Sequence, residues 1–171
     1  KFAGCAQCST LWGIAVSDFD GDGNLDVVIN GNDYGTEVTT GRYDGLNGLM
    51  MKGNGDGNFT PLSIMQSGIF IPGNGKSLVQ LRNNKNECLL AAAENRGPLR
   101  IFKLKKPVNY LPVKPDDQYA IIQLKNGRQR REEFYYGASY LSQSSRFLNA
   151  DASVKSVQIF NSKGESRTIN F

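Results

Sequence analysis

Short apolar runs alternate with glycine-, asparagine- and aspartate-rich punctuation along the whole chain. Gly13-Ile14-Ala15-Val16 and Val27-Val28-Ile29 flank the first polar interruption, and residues 47–52 and 59–64 read as third and fourth strands. Between those two lies Gly53-Asn54-Gly55-Asp56-Gly57-Asn58, a natural hairpin turn. A weaker copy of the same order follows. Residues 77–81 match the first strand, 88–93 the second and 99–102 the third, with the polar loop Arg82-Asn83-Asn84-Lys85-Asn86-Glu87 in between. Residues 105–118 contain Pro107, Pro112 and Pro115 and read as a linker. Beyond it, residues 119–124 and 129–136 flank Asn126-Gly127, a strong hairpin signal, and residues 157–160 and 167–171 flank Asn161-Ser162-Lys163-Gly164. Residues 137–148 stay open between an irregular loop and one or two helical turns. Strands this short, with turns this dense, predict an all-β chain.

The first polar interruption carries the chemistry. Asp18-Phe19-Asp20-Gly21-Asp22-Gly23-Asn24-Leu25-Asp26 places four carboxylates in one turn. Left alone at close range, such groups repel one another, and a cation relieves that repulsion. Calcium takes about six to eight oxygen ligands, and a tight turn with Asp at alternate positions points short carboxylates into one concavity. Gly23 lets the backbone reverse, and the Asn24 carbonyl can then turn inward. An EF-hand loop would need a Glu three residues after Asp26 and a helix after it. That position is Ile29, inside an apolar run, so the loop is closed by Asp26 and a strand. Magnesium prefers to keep its waters, and zinc would want His or Cys, whereas the chain has no His. The alternative is a solvated acidic turn with no metal.

GIAVSDFDGDGNLDVVINGN resembles an FG-GAP or VCBS-type repeat, the calcium-carrying blade of integrin-like β-propellers. The resemblance implies metal contacts from the side chains of Asp18, Asp20, Asp22 and Asp26 and from the Asn24 carbonyl. IQLKNGRQRREEFYYGASYLSQSS resembles the module that follows such repeats in the ASPIC/UnbV and cartilage acidic protein family. That family's later Gly-Leu-Gly is replaced here by Phe147-Leu148-Asn149-Ala150-Asp151. The implied architecture is a partial β-propeller of about two four-stranded blades, the second degenerate, over residues 1–106. A linker over 107–118 and a small hairpin-rich β module over 119–171 complete it. Two blades do not close a ring, since propellers have about four to eight, so the chain is expected to continue upstream blades of a longer parent.

Composition narrows the function. Of the 19 glycines, 15 fall in the first 76 residues, which fits many tight turns there. Hydrophobic content is 39%, too high for a disordered chain. No apolar run reaches the length of a membrane span. Net charge is +4, but the basic residues lie in short groups such as Arg128-Gln129-Arg130-Arg131. Without a nucleic-acid motif these read as solvated strand faces, so no nucleic-acid partner is expected. Cys5-Ala6-Gln7-Cys8 has no partner pair, which leaves a short-range disulfide or two small thiols, and Cys88 reads as core. Gly75-Lys76-Ser77 shares the end of a P-loop, but the required earlier glycine is Phe70.

The expectation is a non-catalytic, extracytoplasmic module (extracellular, cell-surface or periplasmic) that uses Ca2+ structurally and binds a protein or glycan ligand. The competing expectation is an accessory or architectural fragment of a larger secreted enzyme, possibly glycan-active. No serine-centred elbow and no isolated carboxylate pair supports catalysis in the chain itself. The polar, aromatic loop over residues 31–43 reads as either a ligand-facing loop or an ordinary surface insertion, and the second reading is preferred.

Overall fold

The computed structural model describes residues 4–85, 87–105 and 109–171, apart from the Cys5 side chain, so the redox pairing of Cys5 and Cys8 lies outside it. The chain is all-β, with four separate antiparallel sheets among the described residues and none closed into a barrel. It divides into two compact units.

The first unit holds the described residues of Lys1–Phe19, Asn24–Leu104 and Gly137–Ser145. Its first sheet runs β1 (Leu11–Ser17), β2 (Asp26–Gly31), β3 (Leu49–Gly53) and β4 (Phe59–Leu62) in spatial order. Every residue of β2 is buried. Its Val-Val-Ile run is therefore apolar on both faces, as strands covered on both sides are. Val28 packs into one core with Ala15, Leu78 and Ala92, while Val27 and Ile29 pack into another with Leu46 and Met51. The reading of a strand through residue 64 is corrected. β4 ends at Leu62, and Ser63 begins a single helical turn, α1 (Ile64–Ser67). Ser63 and Gln66 form a reciprocal capping box, and Gly68 closes the turn at φ 72°. That Ser-x-x-Gln spacing was present in the sequence and outweighs the strand pattern.

The second sheet is β5 (Gly75–Arg82), β6 (Cys88–Glu94) and β7 (Arg100–Lys103). Cys88 is buried. Gly13 is required where the first strands meet. A Cβ there would lie 2.3 Å from Asn30 Oδ1 and 2.7 Å from Leu78 Cβ. Instead the Gly13 N–H donates to Asn30 Oδ1 (3.0 Å), and Asn30 Nδ2 donates to the Ser77 carbonyl (2.9 Å), so a buried amide joins the sheets without an unmet polar atom.

Residues 137–145 settle as an irregular segment. β1 and β5 are the terminal strands of their sheets, and open edges invite foreign pairing. Here serine hydroxyls meet them. Ser139 Oγ accepts from Ile14 N–H, Ser142 Oγ from Leu78 N–H and Ser144 Oγ from Gln80 N–H, each at 3.0 Å.

The second unit holds Asp20–Gly23, the described residues of Lys105–Tyr136, and Arg146–Phe171. Its strands are β8 (Asn109–Pro112), β9 (Asp117–Leu124), β10 (Gln129–Glu133), β11 (Phe147–Ala150), β12 (Val154–Asn161) and β13 (Ser166–Asn170). The four-stranded sheet is ordered β10-β9-β12-β13, and β8 pairs with β11. β8 falls within the stretch read as linker from its prolines; Pro112 sits at the strand end, where a missing N–H is tolerated. Ala120, Ile122, Leu124, Val154, Val157 and Ile159 point to one face, where Leu111, Leu148 and Ala150 cover them. Burying each large side chain contributes about 1.5–3 kcal/mol. Asp117, buried at the start of β9, receives both terminal nitrogens of Arg167 from β13 at 2.6 and 2.5 Å.

Candidate metal centre

The β1–β2 connection gathers three of the four loop acids. Asp18, Asp20 and Asp22 each offer a carboxylate oxygen, and the three oxygens lie within 4.8 Å of one another, so the group can hold a metal ion. Asp18 is buried, Asp20 half-buried and Asp22 exposed, which leaves one side of the group open to solvent. The backbone achieves this through two positive φ angles, Gly21 at 72° and Gly23 at 90°. A residue with a Cβ is strained at either angle. Asp20 Oδ1 also accepts from the Asp22 N–H at 3.1 Å, an Asx-type turn that fixes the tip.

Within the second unit, Gly23 is also hemmed in. An added Cβ would lie 3.0 Å from Leu124 Cδ1, and its carbonyl accepts from Arg130 Nη1 at 2.8 Å. Arg130 belongs to the short basic group read as a solvated strand face, yet its side chain is nearly buried, with 11% exposed. Nothing in the local sequence distinguishes it from Arg128 or Arg131. Its role depends on a pairing between residues far apart in the chain.

Asp26 stands outside the three-carboxylate group. It is fully buried, and its two oxygens brace the turn. Oδ2 accepts from the Phe19 N–H at 3.0 Å and Oδ1 from the Gly53 N–H at 2.9 Å. These charge-assisted bonds tie the start of the loop to the end of β3. The sequence resemblance gives Asp26 to the metal; in the fold its carboxylate accepts from the Phe19 and Gly53 backbone amides. Asn24 follows Gly23 in the same loop and is half-buried.

The donor set fits a hard cation. Three convergent carboxylates, joined by no His or Cys ligand among the described residues, suit an oxygen-seeking ion rather than zinc. Two unit charges about 4 Å apart repel by about 1–4 kcal/mol at effective dielectrics between those of water and a protein surface. A divalent ion reverses the sign of that contribution.

No protein-family model matches the chain, and no curated protein matches it. Among the described residues no helix is long and apolar enough to cross a membrane.

Proposed function

We propose that the chain is a calcium-binding, non-catalytic module of an extracytoplasmic protein, in which the ion is structural. The observation that carries this reading is the convergence of Asp18, Asp20 and Asp22 in a hairpin loop built on two left-handed glycines. Asp18, Asp20 and Asp22 would hold the ion by their side chains, with the Asn24 carbonyl completing the set and Asp26 bracing the loop or joining the shell. The bound ion would supply charge neutralisation and nothing catalytic. Calcium is favoured over magnesium because the ligands are several protein oxygens in a flexible turn. Millimolar calcium outside cells suits loops with Kd on the order of 10⁻⁴–10⁻³ M.

The architecture is read as FG-GAP/VCBS-like blades followed by an ASPIC/UnbV-like β module. Supporting this, two sheets of the first unit share one core through Ala15, Val28, Leu78 and Ala92, and their first strands β1 and β5 are neighbours. The second unit has its own core, which is compatible with a small β module, although it also takes in Asp20–Gly23 and leaves out Gly137–Ser145. A binding or adhesion role toward a protein or glycan follows from the loop-bearing scaffold by fold-level analogy. Thermal denaturation in calcium and in EDTA tests the metal assignment. A higher melting midpoint in calcium supports it, and superimposable melts overturn it.

A further inference from the structure

Residues 32–48 connect β2 to β3 without a strand or helix of their own. Connections longer than about 12–15 residues of this kind are uncommon in compact domains and are usually functional. This one is pinned. Asn32, fully buried at φ 81°, donates from Nδ2 to the Leu46 carbonyl (2.6 Å), the Gly73 carbonyl (2.8 Å) and Asp44 Oδ1 (3.2 Å). Its Oδ1 accepts from Ser9 Oγ and the Leu46 N–H, both at 2.9 Å. Asp33 and Tyr43 exchange backbone hydrogen bonds at 2.9 Å.

Several aromatic and charged side chains contact this backbone or one another, all in the first unit. The Tyr140 ring lies 4.7 Å from the Trp12 ring, and Lys76 Nζ lies 4.3 Å from it. Trp12 Nε1 donates to the Asn32 carbonyl at 2.9 Å, and Lys76 pairs with Asp33 at 3.7 Å. Asp44, which accepts from Asn32, also accepts from the Tyr34 hydroxyl at 2.6 Å, and the Arg42 guanidinium lies 4.8 Å over the Tyr34 ring. The hydrogen bond to Asp44 pushes the Tyr34 phenol above its ordinary pKa, so it stays a donor. Tyr43 and Tyr140 are 49% and 50% exposed.

We propose that this surface, built from Trp12, Tyr34, Arg42, Tyr43, Lys76 and Tyr140, is a ligand-binding face for a neutral saccharide. Half-exposed aromatic rings offer flat, electron-rich faces to the C–H face of a sugar ring. Around them, phenol, guanidinium, ammonium and carboxylate groups supply both donors and acceptors for hydroxyls. The charges on this face are mixed in sign, Lys76 and Arg42 lying beside Asp33, Asp44 and the loop's Glu37, so no block of one sign selects a strongly charged ligand. The Asn32 network has already ordered the backbone, which lowers the entropy cost of binding. The inference rests on reading the chain as a binding module, and it does not depend on the metal. β2 runs from Asp26 at the acidic loop to Gly31 at this one, a span of roughly 17–20 Å.

Trp12 is the one tryptophan of the chain, so its emission reports on this face alone. The full chain is titrated with cello-, manno-, xylo- and chito-oligosaccharides, and with heparin as an anionic probe, in calcium and in EDTA. The expected result is a saturable emission change with at least one neutral saccharide, weakened at least about tenfold by Tyr140→Ala and by Tyr43→Ala. Tyr43→Ala alters a half-exposed side chain outside the cores and decides the matter if Tyr140→Ala does not fold. No saturable change with any of the four, a response to heparin alone, or undiminished affinity in the folded variants overturns the proposal. Saccharide binding without a calcium-dependent melt sinks only the metal reading. A calcium-dependent melt with no saccharide response sinks only this one.

Discussion

In the β1–β2 hairpin the chain turns through Asp18, Asp20 and Asp22, whereas in the β5–β6 hairpin it turns through Arg82, Asn83 and Lys85 to Glu87. The second turn is closed by a single amide. Asn83 Oδ1 accepts from the Lys85 and Glu87 N–H groups, both at 2.9 Å, and its Nδ2 donates to Glu87 Oε2 at 2.8 Å. Lys103 on β7 pairs with the other Glu87 oxygen and lowers its pKa, the hydrogen bond being the main cause. Charge there is met by charge of opposite sign within the protein. In the first turn three carboxylates instead offer oxygens within 4.8 Å of one another, a group that can hold a metal ion. The two hairpins thus differ in their electrostatics, and on the proposed reading only the first would couple stability to calcium.

The largest effect separating the routes is the loss of that coupling. With calcium about a hundredfold above Kd, binding adds about 2.7 kcal/mol, or about 5–10 °C in melting midpoint for a chain of this size. Asp20→Ala with Asp22→Ala is expected to make the calcium and EDTA melts superimposable, with the lost Asp20–Asp22 turn hydrogen bond lowering both alike. A double variant that still gains stability from calcium would move the site elsewhere.

The next effect comes from acid, through a buried ion pair unrelated to the loop carboxylates. Arg167 holds the Asp117 carboxyl below its ordinary pKa through their hydrogen bonds. The folded-state pKa is the lower one. Its stabilisation is therefore present above the unfolded value of about 3.9 and lost as pH falls through the folded value. In EDTA, Arg167→Met is expected to cost about 2 kcal/mol in urea unfolding at about pH 6, and the gap to wild type should narrow progressively as pH falls below about 3.9. A gap that persists in acid would assign the loss to packing.

Asn83→Ala should cost about 1–2 kcal/mol by leaving the turn amides unmet. The loss should be equal in calcium and EDTA, and a calcium-dependent loss would break the distinction between the loops. Lys103→Ala should have the smallest effect. The lysine is exposed, and such pairs contribute little and are screened by salt, so its melt should coincide with wild type at high ionic strength.

Much of this was legible in the chain. The acids and glycines of residues 18–26 announced both hairpin and site. Asn126-Gly127 announced the β9–β10 turn, where Gly127 sits at φ 86°. Those signals are local. What escaped was long-range or a matter of competing local signals. β8 pairs with β11 across more than thirty residues, and proline-rich text hid it. Ser139, Ser142 and Ser144 look like loop filler until β1 and β5 present amides to them. Asp26 is an acid among acids in sequence, and only the folded hairpin brings the Phe19 and Gly53 amides to it. Asn32 is one asparagine in a polar loop, and its hub role needs Ser9, Leu46 and Gly73 in place.

Everything proposed for the acidic hairpin depends on whether the Asp18–Asp20–Asp22 turn takes calcium. Isothermal titration of the metal-free chain with calcium tests it most directly. The account predicts one saturable event with Kd on the order of 10⁻⁴–10⁻³ M, weak competition from magnesium, and no event in the Asp20→Ala, Asp22→Ala variant. Absence of saturable heat in the wild type at millimolar calcium, or an isotherm identical in the variant, would contradict it.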